Sequence, residues 1–233
     1  GKVVFAENHT LGIYASSGAD DQQHANITLN GGTYEFGSGV KIGVDAFSKN
    51  GSVTINNATL TSTYVGDTSN CLVYIWGGTG SLSNTTITTE AQGCLYVGGG
   101  GYYKTADDHT LDYLHATVNV SNCTMTNKQH VGSGYAWCST ALAVSHDAVL
   151  TVDGGTYTGY TAAAYVFSSG GTINLKSGSY AGTTYCLASD WDEATYGSES
   201  EYKFGGSYLY YSSSCSFTGT NKSSNGTIEQ QPF

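Results

Sequence analysis

The chain has 233 residues, 39 % of them hydrophobic and 11 % charged, and 8 basic against 18 acidic side chains give a formal net charge of −10. Every basic residue is a lysine, and binding to nucleic acid or to an anionic membrane surface needs clustered cations, so charge argues against both partners. No apolar run approaches the ~18 residues of a membrane span, and the one proline, Pro232, marks no internal linker, so a single domain with a sizeable core is expected.

In chain order, residues 1–24 are expected to form a partial first coil or cap, because Leu11-Gly12-Ile13-Tyr14-Ala15 reads as an isolated strand. A repeat follows. ITLNGGTY, VTINNATL, VNVSNCTM, LTVDGGTY and INLKSGSY, at 27–34, 53–60, 118–125, 150–157 and 173–180, share one pattern, with a weaker copy, GSLSNTTI, at 80–87. Each copy alternates apolar and polar residues before a turn-forming pair, which is a half-buried strand followed by a bend. The pattern's Thr or Ser recurs at Thr33, Thr59, Thr86, Thr124, Thr156 and Ser179 with spacings from 23 to 38 residues, the length of one solenoid turn with occasional insertions.

A second strand follows in each copy: IGVDAF at 42–47, LVYIW at 72–76, CLYVG at 94–98, TALAV at 140–144, AAYVF at 163–167 and YCLAS at 185–189. Short strands with Gly, Asn and Ser at the corners and no helical period predict an all-β single domain, a parallel β-helix of about six to seven coils over 25–217. The right-handed form is expected, because crossovers between parallel strands are strongly right-handed. The pattern fades from Ser212, and 218–233 reads as a polar tail or the exit to another domain.

The cysteines follow no metal-binding spacing. Cys71 and Cys94 start neighbouring second strands, ~4.8 Å apart in such a ladder, which is compatible with a disulfide or with an unbonded core stack. Asn57, Asn84 and Asn122 each begin an Asn-x-Ser/Thr sequon, but a repeat that places Asn two residues before Thr makes sequons automatically, so they do not establish glycosylation. An ice-binding surface is not expected, since Asn119 and Asn174 break the series Thr28, Thr54, Thr151 on the first strand.

On these repeats, over roughly residues 25–217, the chain resembles the right-handed parallel β-helix proteins of the pectin-lyase-like superfamily, including the β-helical binding regions of bacterial surface adhesins. That fold carries many functions, so the resemblance implies architecture and leaves function to the site. Lyases of the group use an arginine or lysine base with Asp-bound calcium; this chain has no arginine, and only Lys104 and Lys203 fall in candidate loops. Its hydrolases carry several motifs on successive coils, of which only the Asp-Asp pairs Asp20-Asp21 and Asp107-Asp108 occur here. A polysaccharide-degrading lyase or hydrolase is therefore an alternative reading, and no catalytic residue is assigned.

The insertions point instead to binding. Excursions at 16–25, 98–117 and 189–207, with the corner at Ser145-His146-Asp147, all leave the ends of second strands. They supply Tyr102, Tyr103, Asp107, Asp108, His146, Asp147, Asp190, Trp191 and Asp192 as candidate ligand-binding residues. Aromatic rings stack on sugar C–H faces while carboxylates accept from hydroxyls, and long loops on a regular scaffold are where function concentrates. No cofactor is required; Asp190, Asp192 and Glu193 are calcium candidates, although they miss the EF-hand pattern and a solvated acidic loop accounts for them as well. The expectation is a secreted or cell-surface microbial adhesin or carbohydrate-binding module whose partners are glycans or host glycoproteins, with a non-binding structural stalk as the rival.

Overall fold

The structure is a computed structural model that describes residues 1–6, 10–18, 24–66, 70–103, 111–131, 136–167, 170–190, 206–224 and 226–233. Among the described residues it is all-β, with parallel strands in two sheets and one short 3-10 turn at Ala136–Ser139. Three ladders of parallel strands carry the chain. The first joins Asn26–Asn30, Ser52–Asn56 and Gly78–Ser83 to the front halves of the long strands Ala116–Asn127 and Val149–Gly159, then to Thr172–Leu175, Tyr208–Tyr211 and Thr227–Gln230. The second runs through Lys2–Phe5, Thr33–Phe36, Thr59–Ser62, Thr86–Thr89, the back halves of the same long strands, Gly178–Gly182 and Cys215–Thr218. These two ladders share a 14-stranded sheet.

The third ladder is a separate 8-stranded sheet: Leu11–Gly18, Ile42–Ser48, Cys71–Trp76, Gly93–Gly98, Thr140–Val144, Ala162–Phe167, Tyr185–Asp190 and Lys222–Ser224. The expected second strands coincide with it. Residues 1–24 supply a strand to the second ladder and another to the third. Pairing also runs past residue 217, since Lys222–Ser224 and Thr227–Gln230 join the third and first ladders. Apolar alternation fades there while backbone pairing continues.

Register places each repeat position in a column. Tyr34, Leu60, Ile87, Met125, Tyr157, Tyr180 and Phe217 are successive partners. The Tyr157 and Tyr180 rings stack with centroids 5.2 Å apart. Each of these tyrosines is inward and almost fully buried, and each hydroxyl donates to a corner carbonyl, Gly154 O or Ser177 O, at 2.9 Å. A buried hydroxyl is tolerated because it is bonded. Next along the strands stand the inward polar residues Ser62, Thr89 and Asn127, where the Asn127 amide donates to Ala91 O at 3.0 Å and Gln92 O at 2.9 Å and accepts from the Tyr160 backbone N–H at 3.1 Å.

The corner between the first and second ladders explains the repeat's turn residues. Asn57, Asn84 and Asn122 have φ of 52°, 47° and 51°, and Gly31 and Gly154 take 73° and 76°. Asn and Gly are the residues that enter the left-handed region most readily.

All six cysteines are free, which corrects the Cys71–Cys94 disulfide reading. The register pairs Cys71 with Gly93, one residue before Cys94. Cys94 therefore turns into the central core, whereas Cys71 joins a cluster on the opposite face. Cys123 and Cys215 share a column through Gly155 and Gly178 but stand three rungs apart. Alkylation of unfolded, unreduced protein is expected to label every cysteine by mass spectrometry; a mass short by a thiol pair would show a bridge.

Leu82 is fully buried, so Leu82→Ala is expected to lower unfolding stability by about 2–5 kcal/mol. At the corner, Asn122→Ala is expected to cost about 1 kcal/mol while Asn122→Gly stays close to wild type; urea denaturation of the three variants checks both.

Candidate functional site

Strand alternation on the third ladder turns Val73, Ile75, Leu95 and Val97 inward and leaves Tyr74, Trp76 and Tyr96 on the outer face. One outer column reads Tyr14, Asp45, Tyr74, Tyr96, Ala143, Tyr165, Ala188 and Lys222. The next begins Ser16, Phe47, Trp76 and Gly98 and resumes with Phe167 and Asp190. Tyr74 lies 4.6 Å from Tyr96 between ring centroids, and Trp76 stacks on Tyr96 at 5.4 Å. Tyr96, Tyr165 and Phe167 are buried in this second apolar cluster, Tyr74 and Trp76 are half-buried, and Tyr14 is 56 % exposed.

Asp45 stands in the same column between Tyr14 and Tyr74. Partial burial raises its carboxyl above the usual carboxylate range, since desolvation disfavours the charged form. An outward carboxylate flanked by tyrosines along a column of ~4.8 Å steps is the arrangement that suits a neutral polyhydroxylated ligand: rings offer apolar faces and the carboxyl exchanges hydrogen bonds.

The corner His146-Asp147 closes one end of this surface. Both residues are left-handed, at φ 49° and 56°. His146 lies 6.1 Å from the Trp76 ring, and the neighbouring Ser145 hydroxyl meets the Tyr96 hydroxyl at 2.6 Å. Burial pushes the His146 imidazole down to about 4. Asp147 reaches outward to pair with His115 at 2.6 Å. A Cβ on Gly99 would sit 2.3 Å from the carbonyl oxygens of both His146 and Leu114, so the backbone at Gly99 packs against this corner and only glycine fits.

That insertion contains an antiparallel pair, Gly100–Tyr103 with Leu111–Leu114. Tyr102 is opposite Asp112 and Tyr103 opposite Leu111, and Asp190 ends a third-ladder strand. Asp107, Asp108, Trp191, Asp192 and Glu193 lie outside the described residues. Among the described residues no group of three His, Cys, Asp or Glu is placed to hold a metal, and no helix is long and apolar enough to cross a membrane. Beside the insertion's root, a concavity of about 430 Å³ is lined by His24, Lys49, Asn50, Thr79, His115 and Thr117, with His24 Nδ1 donating to Asn50 O at 2.8 Å.

The chain matches no family model, no curated protein and no solved structure. Its function therefore rests on the site.

Asp45, Tyr74, Trp76 and Tyr96 are not among the candidate residues that the sequence singles out. Their signal is parity: counting outward positions from the inward Val and Ile of each second strand puts the acid and the rings on one face. One Ser–His contact also stands outside the expected residues, His130 Nδ1 with the Ser139 hydroxyl at 2.5 Å. Ser139 is fully buried, so its oxygen faces no substrate.

His146 carries a pH signature. In the unfolded chain an imidazole takes a proton near pH ~6.5, whereas the folded protein resists protonation until about 4. Its contribution to stability is complete above the unfolded value, declines as pH falls through that window and reaches a loss of about 3 kcal/mol at its foot. His146→Asn, which tolerates the left-handed corner, is expected to lose less stability than wild type between about pH 7.5 and about pH 4.5 by urea denaturation; equal losses would refute the assignment.

Proposed function

We propose that the ladders wind into a right-handed parallel β-helix that serves as the carbohydrate-binding part of a secreted or cell-surface microbial adhesin. The observation that carries this reading is the outer column in which Asp45 stands between Tyr14 and Tyr74, with Trp76 beside them and the Asp147 corner at the edge. Right-handed winding follows the general handedness of parallel crossovers. A rigid stack of short strands presents this surface with little ordering cost on binding. Tyr14, Tyr74 and Trp76 lie against sugar C–H faces, and Asp45 and Asp147 accept from hydroxyls. The function is recognition, not bond cleavage.

A glycan-array screen of the purified domain, with and without calcium, tests the proposal. Saturable binding to a neutral glycan is expected, and Tyr74→Ala and Asp45→Ala are each expected to weaken it about tenfold, ~1.4 kcal/mol, with melting temperature as the folding control. Trp191→Ala is expected to weaken the same binding. Absence of binding across plant, microbial and mucin glycans would overturn the reading and leave the structural stalk.

A further inference from the structure

The outward face of the second ladder is neither aromatic nor charged, and it has a two-dimensional order that the other faces lack. Thr59, Thr86, Thr124 and Thr156 are successive partners in one column, and Thr61, Thr88, Thr126 and Thr158 are successive partners in the column two residues on. The pattern continues through Ser179 with Ala181 and Ser216 with Thr218. It is preceded by Thr33 with Glu35, where the Lys2–Glu35 ion pair at 2.9 Å bounds it.

Between the two columns Leu60, Ile87, Met125 and Tyr157 are fully buried. Alternation is therefore strict, and every threonine of the array projects outward. Rows repeat at ~4.8 Å and columns at ~6.7 Å, twice the rise per residue. No charged side chain stands in either column from Thr59 to Thr218, in a chain of net charge −10.

The hydroxyls supply an independent observation. The eight threonines of the four complete rows make no side-chain hydrogen bond to any described group of the protein. Their inward neighbours do: Thr85 donates to Ser83 O at 2.9 Å, and Thr89 donates to Gln92 O. The array thus holds a lattice of unspent hydroxyls, each beside a methyl group, on side chains whose β-branch leaves few rotamers.

A soluble glycan is held by aromatic faces and carboxyl acceptors, and an ionic partner needs charge. A neutral, doubly periodic surface with neither rings nor carboxyls matches neither; it matches a ligand that is itself a lattice. We propose that this face binds ice. Its two repeats lie close to the spacings of water along the two axes of a prism face of hexagonal ice. The threonine hydroxyls occupy lattice positions and hydrogen-bond to water there, while water held over the methyl groups is ordered into the intervening sites. The series Thr28, Thr54, Thr151, broken by Asn119 and Asn174, belongs to the first ladder, so its interruption does not bear on this face.

The test uses the purified domain in an ice-recrystallisation assay, with observation of single ice crystals held just below melting. The wild type is expected to suppress grain growth and facet the crystals at micromolar concentration. Thr88→Lys and Thr126→Lys, at the centre of the array, are each expected to reduce that activity at least tenfold. Thr54→Lys, on the first ladder, is expected to retain it. Thr88→Ser keeps the hydroxyl, removes one methyl and is expected to lower activity severalfold, which covers the case in which a lysine variant fails to fold; thermal melts identify such a failure. No effect of the wild type beyond that of albumin at equal concentration, or equal losses in Thr54→Lys and the array variants, would overturn the proposal. Glycan binding, on another face, is read separately.

Discussion

The parallel backbone ladder, with strands ~4.8 Å apart, is the constraint on which everything else in this protein depends. Once two successive repeats pair in register, each side chain stands directly above its equivalent, and any position of the repeat becomes a column. A one-residue slip would exchange the inward and outward sets of a strand, moving Leu60 or Ile87 into water. Hydrophobic burial and register therefore enforce each other through the buried repeats.

The interior follows from that constraint. Columns of Ile, Leu and Val fill most of it, and where large aromatics enter, as at Tyr157 and Tyr180, they stack on one another and send their hydroxyls to corner carbonyls. The inward polar residues near Asn127 are bonded to backbone groups, which offsets the cost of removing them from water. Corners are made by left-handed Asn and Gly, so the repeat's preference for these residues is a backbone requirement. The cysteines obey the same logic: free and mostly buried, they act as small apolar units, with Cys71 and Cys94 divided between two faces by a single-residue offset.

The same columns give the outer surfaces their chemistry. On the third ladder they gather tyrosines, a tryptophan and a raised carboxyl beside a partly buried imidazole, the face proposed to meet sugars. On the second they gather threonines with unspent hydroxyls, the face proposed to meet ice. The first ladder mixes Thr, Ser and Asn without a regular order. The insertions follow the ends of the third-ladder strands Leu11–Gly18, Gly93–Gly98 and Tyr185–Asp190.

Strand positions, corners and the inward columns were legible in the sequence because alternation and turn chemistry are local and repeat along the chain. Thr33, Thr59, Thr86, Thr124, Thr156 and Ser179, aligned by pattern alone, are the partners found in the second ladder. The sequence could not say what stands beside what on the outer faces. Tyr14 and Asp45 are separated by the excursion at 16–25, and only pairing puts them in adjacent rungs; Thr61 and Thr88 join the array only when the bend separates their strand from that of Thr54. The Cys71–Cys94 relation turned on an offset of one residue that spacing does not resolve. Local periodicity thus determined the element and its buried side, and tertiary register decided the neighbours, because contact between distant repeats is set by which backbone hydrogen bonds form and not by distance along the chain.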